Sequence, residues 1–409
     1  MIPYGRQSIS PSDIQAVVDV LTSNWLTQGP SVQHFEKEVA DYCEAPHAVA
    51  VNSATSALHV ACLAAGLGPG DLLWTSPNTF VASANCGLYC GASVDFVDID
   101  PGSYNMSVER LREKLERAES AGKLPKVVVP VHFAGQSCDM QGIARLAIRY
   151  GFRVIEDASH GIGGRYLGEA VGNCRYSDMT VFSFHPVKIV TTGEGGMVLT
   201  KSADLRESLV RLRSHGITSD PSRMAGESHG PWYYQQIELG FNYRMTDLQA
   251  ALGASQLTRL DEFVARRHYL AERYDRALSD LPLTLPLQHP DTFSSFHLYV
   301  VRLHAERIGK SRRAILEEMR ARGILAHVHY IPVHTQPYYL ARGFRPGDFP
   351  EAERYYREAM TIPLFPAMTD GEQDLVVETL RETLRGPALP KRSPLRPSPS
   401  QEISEGAPA

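Results

Sequence analysis

The sequence predicts an α/β protein built on a largely parallel, buried β-sheet. Short apolar runs recur along the first half of the chain, and helical patterns separate most of the early ones. Strands that alternate with helices in this way are typical of βαβ units, whose sheets are covered on both faces. The predicted strands are Ala48–Val51, Leu72–Trp74, Val94–Val97, Val127–Val131, Val154–Ile155, Thr180–Phe182 and Met197–Leu199.

Helix signals flank these runs. The first helix begins after Ser10, an N-cap residue that is followed by a proline at the first helical position. Its apolar residues recur with helical spacing at Ile14, Val17, Val18 and Leu21. Similar patterns predict helices at Val32–Tyr42, Leu58–Ala65, Val108–Leu115, Ile143–Tyr150 and within Leu248–Leu278. The alternating segment His327–Tyr330 predicts a strand in a smaller C-terminal α/β part.

Composition narrows the class of protein. The 409 residues are 43% apolar and 21% charged, which excludes collagen, a coiled coil or wholesale disorder. The 41 basic and 46 acidic side chains give a formal charge of −5, the wrong sign for a chain that grips nucleic acid. No run of about 18 apolar residues predicts a membrane-spanning helix. Six cysteines are too few for a disulfide framework, so we expect reduced thiols and a cytoplasmic protein.

The end of the chain differs from the rest. Residues 387–409 contain six prolines and no aromatic side chain or valine. Such a segment buries too little apolar surface to offset the entropy lost on ordering, so we predict a disordered tail. The remainder is interpreted as a large domain over residues 1–240 and a smaller C-terminal domain, with its linking helix, over residues 241–386.

Two charged residues follow predicted strands. Asp157 comes after the apolar run Val154–Ile155, and Lys188 comes after the run Thr180–Phe182. Ligands of an open parallel sheet bind beyond the carboxyl ends of its strands, so both side chains are expected in one crevice. Taken singly, Asp157 also fits a helix N-cap and Lys188 a solvated surface lysine. Taken together, they make Lys188 a candidate nucleophile, because partial burial lowers the pKa of a lysine.

Two further segments fit the same crevice. The segment Asn52–Ala57, here called the anion cradle, follows a strand and precedes a helix. Its N–H groups and hydroxyls suit a bound anion. Phe80 follows another strand end, where an aromatic side chain can lie on a flat ring. An ordinary N-cap and an ordinary core residue are the alternatives for these two.

Together these four features indicate pyridoxal 5′-phosphate (PLP). This cofactor needs a lysine for its aldehyde, a carboxylate against its pyridine nitrogen, donors for its phosphate and a packing partner for its ring. The carboxylate keeps the nitrogen protonated, so that the ring accepts the electrons of a carbanion. No metal site is predicted, since Cys86 and Cys90 lack a second pair and His327 and His329 lack an acid or a cysteine.

The chain resembles the sugar-nucleotide aminotransferases of the DegT/DnrJ/EryC1/StrS family from about Ile2 to Leu384. The segments that carry the resemblance are Glu156–His160, Ser183–Lys188 with Thr191–Gly196, and Gly240–Met245. The resemblance implies a type I PLP-dependent transferase fold, like that of aspartate aminotransferase, with a mainly parallel sheet in the large domain. Some relatives carry histidine in place of the lysine and act as dehydratases, and the presence of Lys188 disfavours that activity.

Further segments are similar to one branch, which makes UDP-4-amino-4,6-dideoxy-N-acetyl-β-L-altrosamine for pseudaminic acid. They are Ile2–Ile9, Leu26–Pro30, Phe80–Asn85, Arg213–Ile217, Gly230–Tyr234 and His329–His334. The branch implies that UDP-2-acetamido-2,6-dideoxy-β-L-arabino-hex-4-ulose receives an amino group from L-glutamate. The nearest alternative is another 4-keto or 3-keto nucleotide sugar, on UDP or dTDP. A non-catalytic binding or regulatory protein is the second alternative.

The family pattern also implies roles for single residues. Lys188 forms the Schiff base, and Asp157 pairs with the pyridine nitrogen. The implied phosphate ligands are Ala54, Thr55 and Ser183, and the implied ring contacts are Phe80 and His160. Asn242 is implied to reach the phosphate of the other subunit's cofactor, in a homodimer with active sites at the interface. The implied sugar-nucleotide contacts are Tyr4, His185, Arg244, His329 and Tyr330. Candidate cations for the diphosphate are His185, Arg244 and His329, with Arg213 and His215 as alternatives that the sequence does not rank.

Overall fold

A seven-stranded sheet forms the centre of the structure, a computed structural model that describes residues 1–385. Its strands are β1 (His47–Val51), β2 (Leu72–Thr75), β3 (Ser93–Phe96), β4 (Val127–Val129), β5 (Arg153–Asp157), β6 (Met179–Ser183) and β7 (Gly196–Thr200). Their order is β1-β7-β6-β5-β4-β2-β3, and all neighbours are parallel except β7, which is antiparallel to β1 and β6. All seven predicted strands are present, and the largely parallel sheet is confirmed. The predicted tail at residues 387–409 lies outside the described residues.

Helices connect the strands, and each predicted helix is present. They are α1 (Pro11–Leu21), α2 (Pro30–Cys43), α3 (Ala54–Ala64), α4 (Ala82–Tyr89), α5 (Val108–Ser120), α6 (Met140–Tyr150), α7 (Ala203–Leu212), α8 (Asp247–Leu257), α9 (Leu260–Leu278), α10 (Ala305–Ile308), α11 (Arg312–Ala321), α12 (Pro337–Leu340), α13 (Pro350–Glu358) and α14 (Asp370–Arg385). Short antiparallel pairings join Ile217–Thr218 to Gln235–Gln236, and Arg165–Tyr166 to both Glu169–Ala170 and Thr292–Phe293.

Alternating side chains divide the core between the two faces of the sheet. One face buries Val49, Val51 and Val198 against α3, α4 and α7. The other face buries Phe182 and Leu199 against α2 and α8. Because both faces are covered, the strands are apolar at nearly every position, which is why they stand out in the sequence.

A second core lies around a three-stranded antiparallel sheet in the C-terminal part. Its strands are β8 (Leu283–Thr284), β9 (Tyr299–Leu303) and β10 (Ala359–Ile362), with β9 in the middle. Helices α9, α11 and α14 pack on this sheet. Ile2 joins the same core, since the first residues pair with Ile324–Leu325. The domain boundary between residues 240 and 241 stays a prediction.

The predicted strand at His327–Tyr330 is wrong. Within this segment His327 alone forms a bridge, an isolated one with Thr361. The Nδ1 atom of His329 lies 2.9 Å from the Thr361 hydroxyl. The backbone carbonyl of His329 accepts from the Tyr355 hydroxyl at 2.7 Å. Side-chain contacts to β10 and α13 therefore replace the ladder that a strand would form.

Helix α1 packs through a buried carboxylate and not through the apolar stripe that predicted it. The exposed residues of that stripe are Ile14, Val18 and Leu21. Asp13 is fully buried and accepts from Ser255 and Gln256, both at 2.7 Å, and from Arg259 at 2.6 Å. Burial alone would raise the pKa of Asp13, but these donors and the charge of Arg259 lower the pKa below its ordinary value.

We expect Asp13→Asn to lower the thermal unfolding midpoint and to reduce the free energy of unfolding by about 1–3 kcal/mol, because Arg259 loses its counter-charge. A carboxylate with a lowered pKa stabilises the fold above its unfolded pKa, and this contribution disappears as the pH falls through the folded value. The difference between variant and wild type should therefore narrow at acid pH in calorimetry. The matched control is Asp19→Asn, which changes an exposed residue of the same helix; an equal loss there would contradict the prediction.

Candidate active site

A cavity of about 460 Å³ opens where β5 and β6 end and α3 begins. A volume of this size is ordinary for a small-molecule site. The predicted site residues that line it are Tyr4, Ala54, Thr55, Phe80, Asp157, His160, Ser183, His185, Lys188, His329 and Tyr330. Asn242 and Arg244 are not among its lining residues. The strand ends therefore bring together residues from six separate stretches of the chain.

The anion cradle lies at the start of α3. Ser53 is the N-cap, and its Oγ accepts from the Ser56 N–H at 3.1 Å while its carbonyl accepts from the Ala57 N–H. The N–H groups of Ala54 and Thr55 have no partner within residues 1–385, and both residues line the cavity. Free N–H groups at a helix N-terminus attract anions, so the cradle fits a phosphate group.

Gly196 allows β7 to pack against the cradle. A Cβ atom on this residue would lie 2.5 Å from the carbonyl group of Ser53 and 2.6 Å from the nitrogen of Ala54. Gly196 begins β7 and pairs with Val51, which ends β1, and with Ser183, which ends β6. The antiparallel strand therefore starts where its two neighbours finish, and glycine lets the cradle approach Ser183.

Lys188 lies in a turn that follows β6. Its N–H donates to the His185 carbonyl at 2.9 Å, and its side chain lines the cavity with Asp157. Burial lowers the pKa of Lys188 to about 8, and the nearby charge of Asp157 opposes this effect. Roughly a tenth of the amine is therefore uncharged at pH 7, which suits a nucleophilic lysine better than a solvated surface residue.

Two hydrogen bonds fix the Asp157 carboxylate at the end of β5. Its Oδ2 accepts from the Ser83 hydroxyl at 2.6 Å, and its Oδ1 accepts from the Ser159 N–H at 3.1 Å. Asp157 is 5% exposed, and no helix begins after it, so it is not an N-cap. The carboxylate is held in one orientation towards the cavity.

His160 and Tyr330 form a hydrogen-bonded pair in the cavity wall. His160 Nδ1 accepts from the Ala134 N–H at 3.2 Å, and Nε2 lies 3.1 Å from the Tyr330 hydroxyl. Because Nδ1 accepts, the neutral ring carries its proton on Nε2 and donates to Tyr330. Burial and the charge of Lys188 lower the pKa of His160 well below its usual value, and burial raises the pKa of Tyr330. Both groups are therefore uncharged at neutral pH.

His329 is likewise uncharged. Burial, with the charges of His327 and Lys188, lowers the pKa of His329 to about 3. Its ring lies edge-on to Tyr4, with 4.9 Å between the centroids. A neutral imidazole offers hydrogen bonds, but it supplies no positive charge for a diphosphate.

Phe80 is exposed at the cavity and is not a core residue. Its side chain is 59% exposed, and its ring centroid lies 6.4 Å from that of Tyr330. An exposed aromatic face beside the carboxylate and the amine can pack on a flat ring.

Asn242 and Arg244 lie on a segment that passes behind the cradle. Asn242 is exposed and forms an isolated bridge with Ser214, and Arg244 is half-buried. The carbonyl of the residue between them, Tyr243, accepts from the Asn52 N–H at 2.8 Å. The Asn242 side chain is therefore available to a second chain.

Sequence reasoning missed part of the cavity. The additional lining residues are Ser53, Leu58, Thr79, Ala82, Val131, Ser159, Val187 and Glu194. Several stand inside segments that the sequence had singled out, yet nothing in their spacing shows which of them face the cavity. Ser83 contacts a residue 74 positions away, and only the packing of α4 against β5 reveals that contact.

Among residues 1–385, no group of His, Cys, Asp or Glu side chains is arranged to hold a metal ion. No helix in that range combines the length and the apolar character needed to cross a membrane.

Fold and cavity together define a class of protein, the PLP-dependent enzymes of type I fold. The cavity residues fit PLP, because a partly uncharged amine, a fixed carboxylate, free N–H groups for a phosphate and an aromatic face meet in one place. Because Gly196 has no Cβ atom, the cradle can lie against the start of β7, where Gly196 pairs with Ser183.

Comparison with known proteins identifies the family. The model of the DegT/DnrJ/EryC1/StrS aminotransferase family matches residues 7–381. The spore coat polysaccharide biosynthesis protein SpsC of Bacillus subtilis is 41% identical over 388 residues, which are 94% of this chain and 97% of SpsC. Helicobacter pylori PseC, an aminotransferase involved in the biosynthesis of pseudoaminic acid, superposes with a TM-score of 0.84 at 31% identity, over 94% of this chain and 99% of PseC. The PLP form of Spr1654 from Streptococcus pneumoniae superposes with a TM-score of 0.83 at 28% identity, over 94% of this chain and 98% of Spr1654.

The chain belongs to the DegT/DnrJ/EryC1/StrS aminotransferase family. It is a PLP-dependent sugar aminotransferase, which implies a nucleotide sugar and an amino donor as substrates. The predicted fold, cofactor and enzyme class are confirmed, and the alternative of a non-catalytic binding or regulatory protein is set aside. The roles of single residues stay predictions.

We expect the PLP-free protein to take up PLP faster as the pH rises, with a midpoint near 8, because only an uncharged Lys188 attacks an aldehyde. Stopped-flow absorbance measures this rate. Asp157→Asn should move the midpoint to lower pH, since the charge that favours the ammonium form is removed. A midpoint near 10.5, the ordinary value for lysine, would contradict the prediction.

Proposed function

We propose that the protein converts UDP-2-acetamido-2,6-dideoxy-β-L-arabino-hex-4-ulose to UDP-4-amino-4,6-dideoxy-N-acetyl-β-L-altrosamine, with L-glutamate as the amino donor. The observation that carries the proposal is the likeness to PseC over nearly all of both chains. The segments Ile2–Ile9, Phe80–Asn85 and His329–His334, on which the branch assignment rests, also contribute side chains to the cavity wall.

A second candidate is amination of another 4-keto or 3-keto nucleotide sugar, carried by UDP or dTDP. The identity of 41% to SpsC, a spore coat polysaccharide protein, exceeds the 31% to PseC and favours this candidate. Both candidates use the same catalytic residues, and they differ in the part of the cavity that meets the sugar.

The residues of the cavity are assigned to PLP as follows. Bound PLP supplies an aldehyde that takes up the amino group and a ring that stabilises the negative charge left when a proton is removed. Asp157 would face the pyridine nitrogen and keep it protonated. His160, with its proton on Nε2, would support the ring hydroxyl together with Tyr330. Ala54, Thr55 and Ser183 would hold the phosphate, and Phe80 would cover one side of the ring.

Lys188 moves the proton in this proposal. Its pKa of about 8 leaves Nζ able both to accept and to release a proton near neutral pH, as a general acid–base group requires. Nζ would take the proton from the α-carbon of the amino donor and pass it to the cofactor carbon that carries the amino group. With the keto sugar, Nζ would move a proton the opposite way, from that carbon to C4 of the sugar. The opposite charge of Asp157 stabilises the protonated amine between these steps.

The sugar nucleotide would enter at the exposed face beside Phe80. Tyr4 and the uncharged His329 would meet the sugar through packing and hydrogen bonds. The negative charge of the diphosphate would be met elsewhere, by His185 and by Arg244.

A homodimer would complete the site, with Asn242 of each chain on the phosphate held by the other. Asn242 is exposed and lies outside its own cavity. Large apolar side chains are exposed at several positions, a property that marks protein interfaces. They are Trp25, Leu26, Phe80, Tyr89, Trp232, Tyr234, Ile237 and Leu239.

The cytoplasm is the proposed location. All six cysteines are free and buried, which supports a reducing compartment.

The test supplies L-glutamate with one of two 4-keto UDP-sugars, the L-arabino or the D-xylo isomer. We expect kcat/KM for amination of the L-arabino isomer to be higher by about tenfold or more. Mass spectrometry detects the product. Lys188→Ala should form none and should lose the absorbance of lysine-bound PLP, whereas Lys201→Ala, at an exposed lysine, should behave as wild type. Faster amination of the D-xylo isomer would point to the second candidate.

Subunit mixing tests the shared site. Asn242→Asp should weaken PLP binding, because a carboxylate repels the partner's phosphate. Mixed dimers of Lys188→Ala and Asn242→Asp contain one site with both residues intact, so random mixing should restore about a quarter of wild-type activity. If each chain completes its own site, mixing adds nothing to the activity that the two variants show separately, and the proposed geometry fails.

A further inference from the structure

We propose that the hydroxyls of Thr79 and Ser83 form a relay that orients Asp157 and holds its negative charge, so that the pyridine nitrogen of bound PLP stays protonated. The inference rests on the proposed role of Asp157 as the partner of that nitrogen. Thr79 and Ser83 are positioning residues, since both act through Asp157.

The relay consists of two short hydrogen bonds in a buried place. The Ser83 Oγ lies 2.6 Å from Asp157 Oδ2, and the Thr79 Oγ1 lies 2.7 Å from Ser83 Oγ. Ser83 is fully buried, and Thr79 is 2% exposed. The other acceptor near Ser83, the Phe80 carbonyl, is farther away at 3.4 Å.

The protons of the relay point in one direction. An ionised carboxylate only accepts, so Ser83 must donate to Asp157. The Ser83 oxygen can then accept, and Thr79 donates to it at 2.7 Å. Hydrogen bonds in such a chain polarise one another, so the Thr79 hydroxyl strengthens the bond that Ser83 makes to the carboxylate.

This arrangement decides where a shared proton resides. A carboxylate that receives hydrogen bonds from Ser83 and Ser159 is fixed in one orientation, and its negative charge beside the pyridine nitrogen favours the protonated form of that nitrogen. Without the Ser83 donor the carboxylate can turn away from the nitrogen, the protonated nitrogen is less favoured, and the ring becomes a weaker acceptor of electrons.

The same short turn carries the relay and the aromatic face. Phe80 stands between Thr79 and Ser83, at the point where α4 begins. Packing of this turn against β5 therefore positions both Phe80 and the Ser83 hydroxyl that donates to Asp157.

The neighbouring acid offers a matched control. Glu156 precedes Asp157 on β5, so its side chain points to the opposite face. It accepts from the hydroxyls of Ser177 and Thr180 and lies 2.6 Å from His132 Nε2. Ser177→Ala therefore removes a serine donor from a buried carboxylate of the same strand without touching the relay.

The test uses holoenzymes loaded with PLP that is labelled with ¹⁵N at the pyridine nitrogen. In Ser83→Ala and in Thr79→Val, the ¹⁵N resonance should move from the protonated towards the unprotonated position. We expect kcat to fall by about tenfold in Ser83→Ala, with KM for the amino donor within about twofold. Thr79→Ser keeps the hydroxyl and should restore resonance and kcat, and Ser177→Ala should leave both unchanged.

Asp157→Asn separates this inference from the proposed function. If that variant keeps the wild-type resonance and turnover, the role of Asp157 fails, and the relay fails with it. If Asp157→Asn loses both while Thr79→Val and Ser83→Ala keep them, the relay alone is overturned. An equal change in Ser177→Ala would also overturn it, because general loosening of the strand would then explain the effect. Should Ser83→Ala not fold, the pair Thr79→Val and Thr79→Ser decides.

Discussion

The close approach of β7 to the start of α3 is the contact on which the rest of the site depends. Gly196 permits it, since any Cβ atom there would collide with the backbone of Ser53 and Ala54. The cradle therefore lies beside Ser183, and Lys188 follows in the turn that leaves β6. One strand further on, Asp157 pairs with Val181 of β6, so it lies at the same edge of the sheet as the turn that carries Lys188. Phosphate cradle, amine and carboxylate thus share one rigid frame.

Burial then decides the charges inside this frame. It lowers the pKa of Lys188 to about 8 and the pKa of His329 to about 3, and it keeps His160 and Tyr330 neutral. Asp157 remains as a fixed negative charge, held by hydroxyl and N–H donors. A fixed anion opposite a lysine with a mobile proton suits a reaction in which protons move while the protein's dipoles stay in place.

The sequence was informative where burial or backbone chemistry leaves a pattern. Strands covered on both faces are apolar throughout, so the sheet was predictable. Polar and charged residues that follow the carboxyl ends of such strands face one crevice, so the place of the site was predictable as well. Helix α1 is where the sequence predicts it, but its apolar stripe does not mark its buried side, because the capping box of Ser10 and Asp13 favours a helix whichever side is buried. The prediction failed at His327–Tyr330, where an alternating segment makes side-chain contacts and one isolated bridge instead of a strand ladder. Ser83 left no signal, because its role follows from tertiary packing alone.

The charge inventory also bears on why the chain would work as a dimer. In the proposed function, a nucleotide diphosphate brings negative charges into a cavity where His329 is neutral and where Lys188 is assigned to proton transfer. Arg244 stands outside that cavity, on the segment that exposes Asn242. If that segment serves the partner's site, Arg244 adds a cation to the contact proposed for His185, and Asn242 adds a phosphate donor from the same stretch of backbone. Association would then supply charge as well as apolar burial, and substrate binding would itself favour the dimer, because a ligand stabilises the state that binds it.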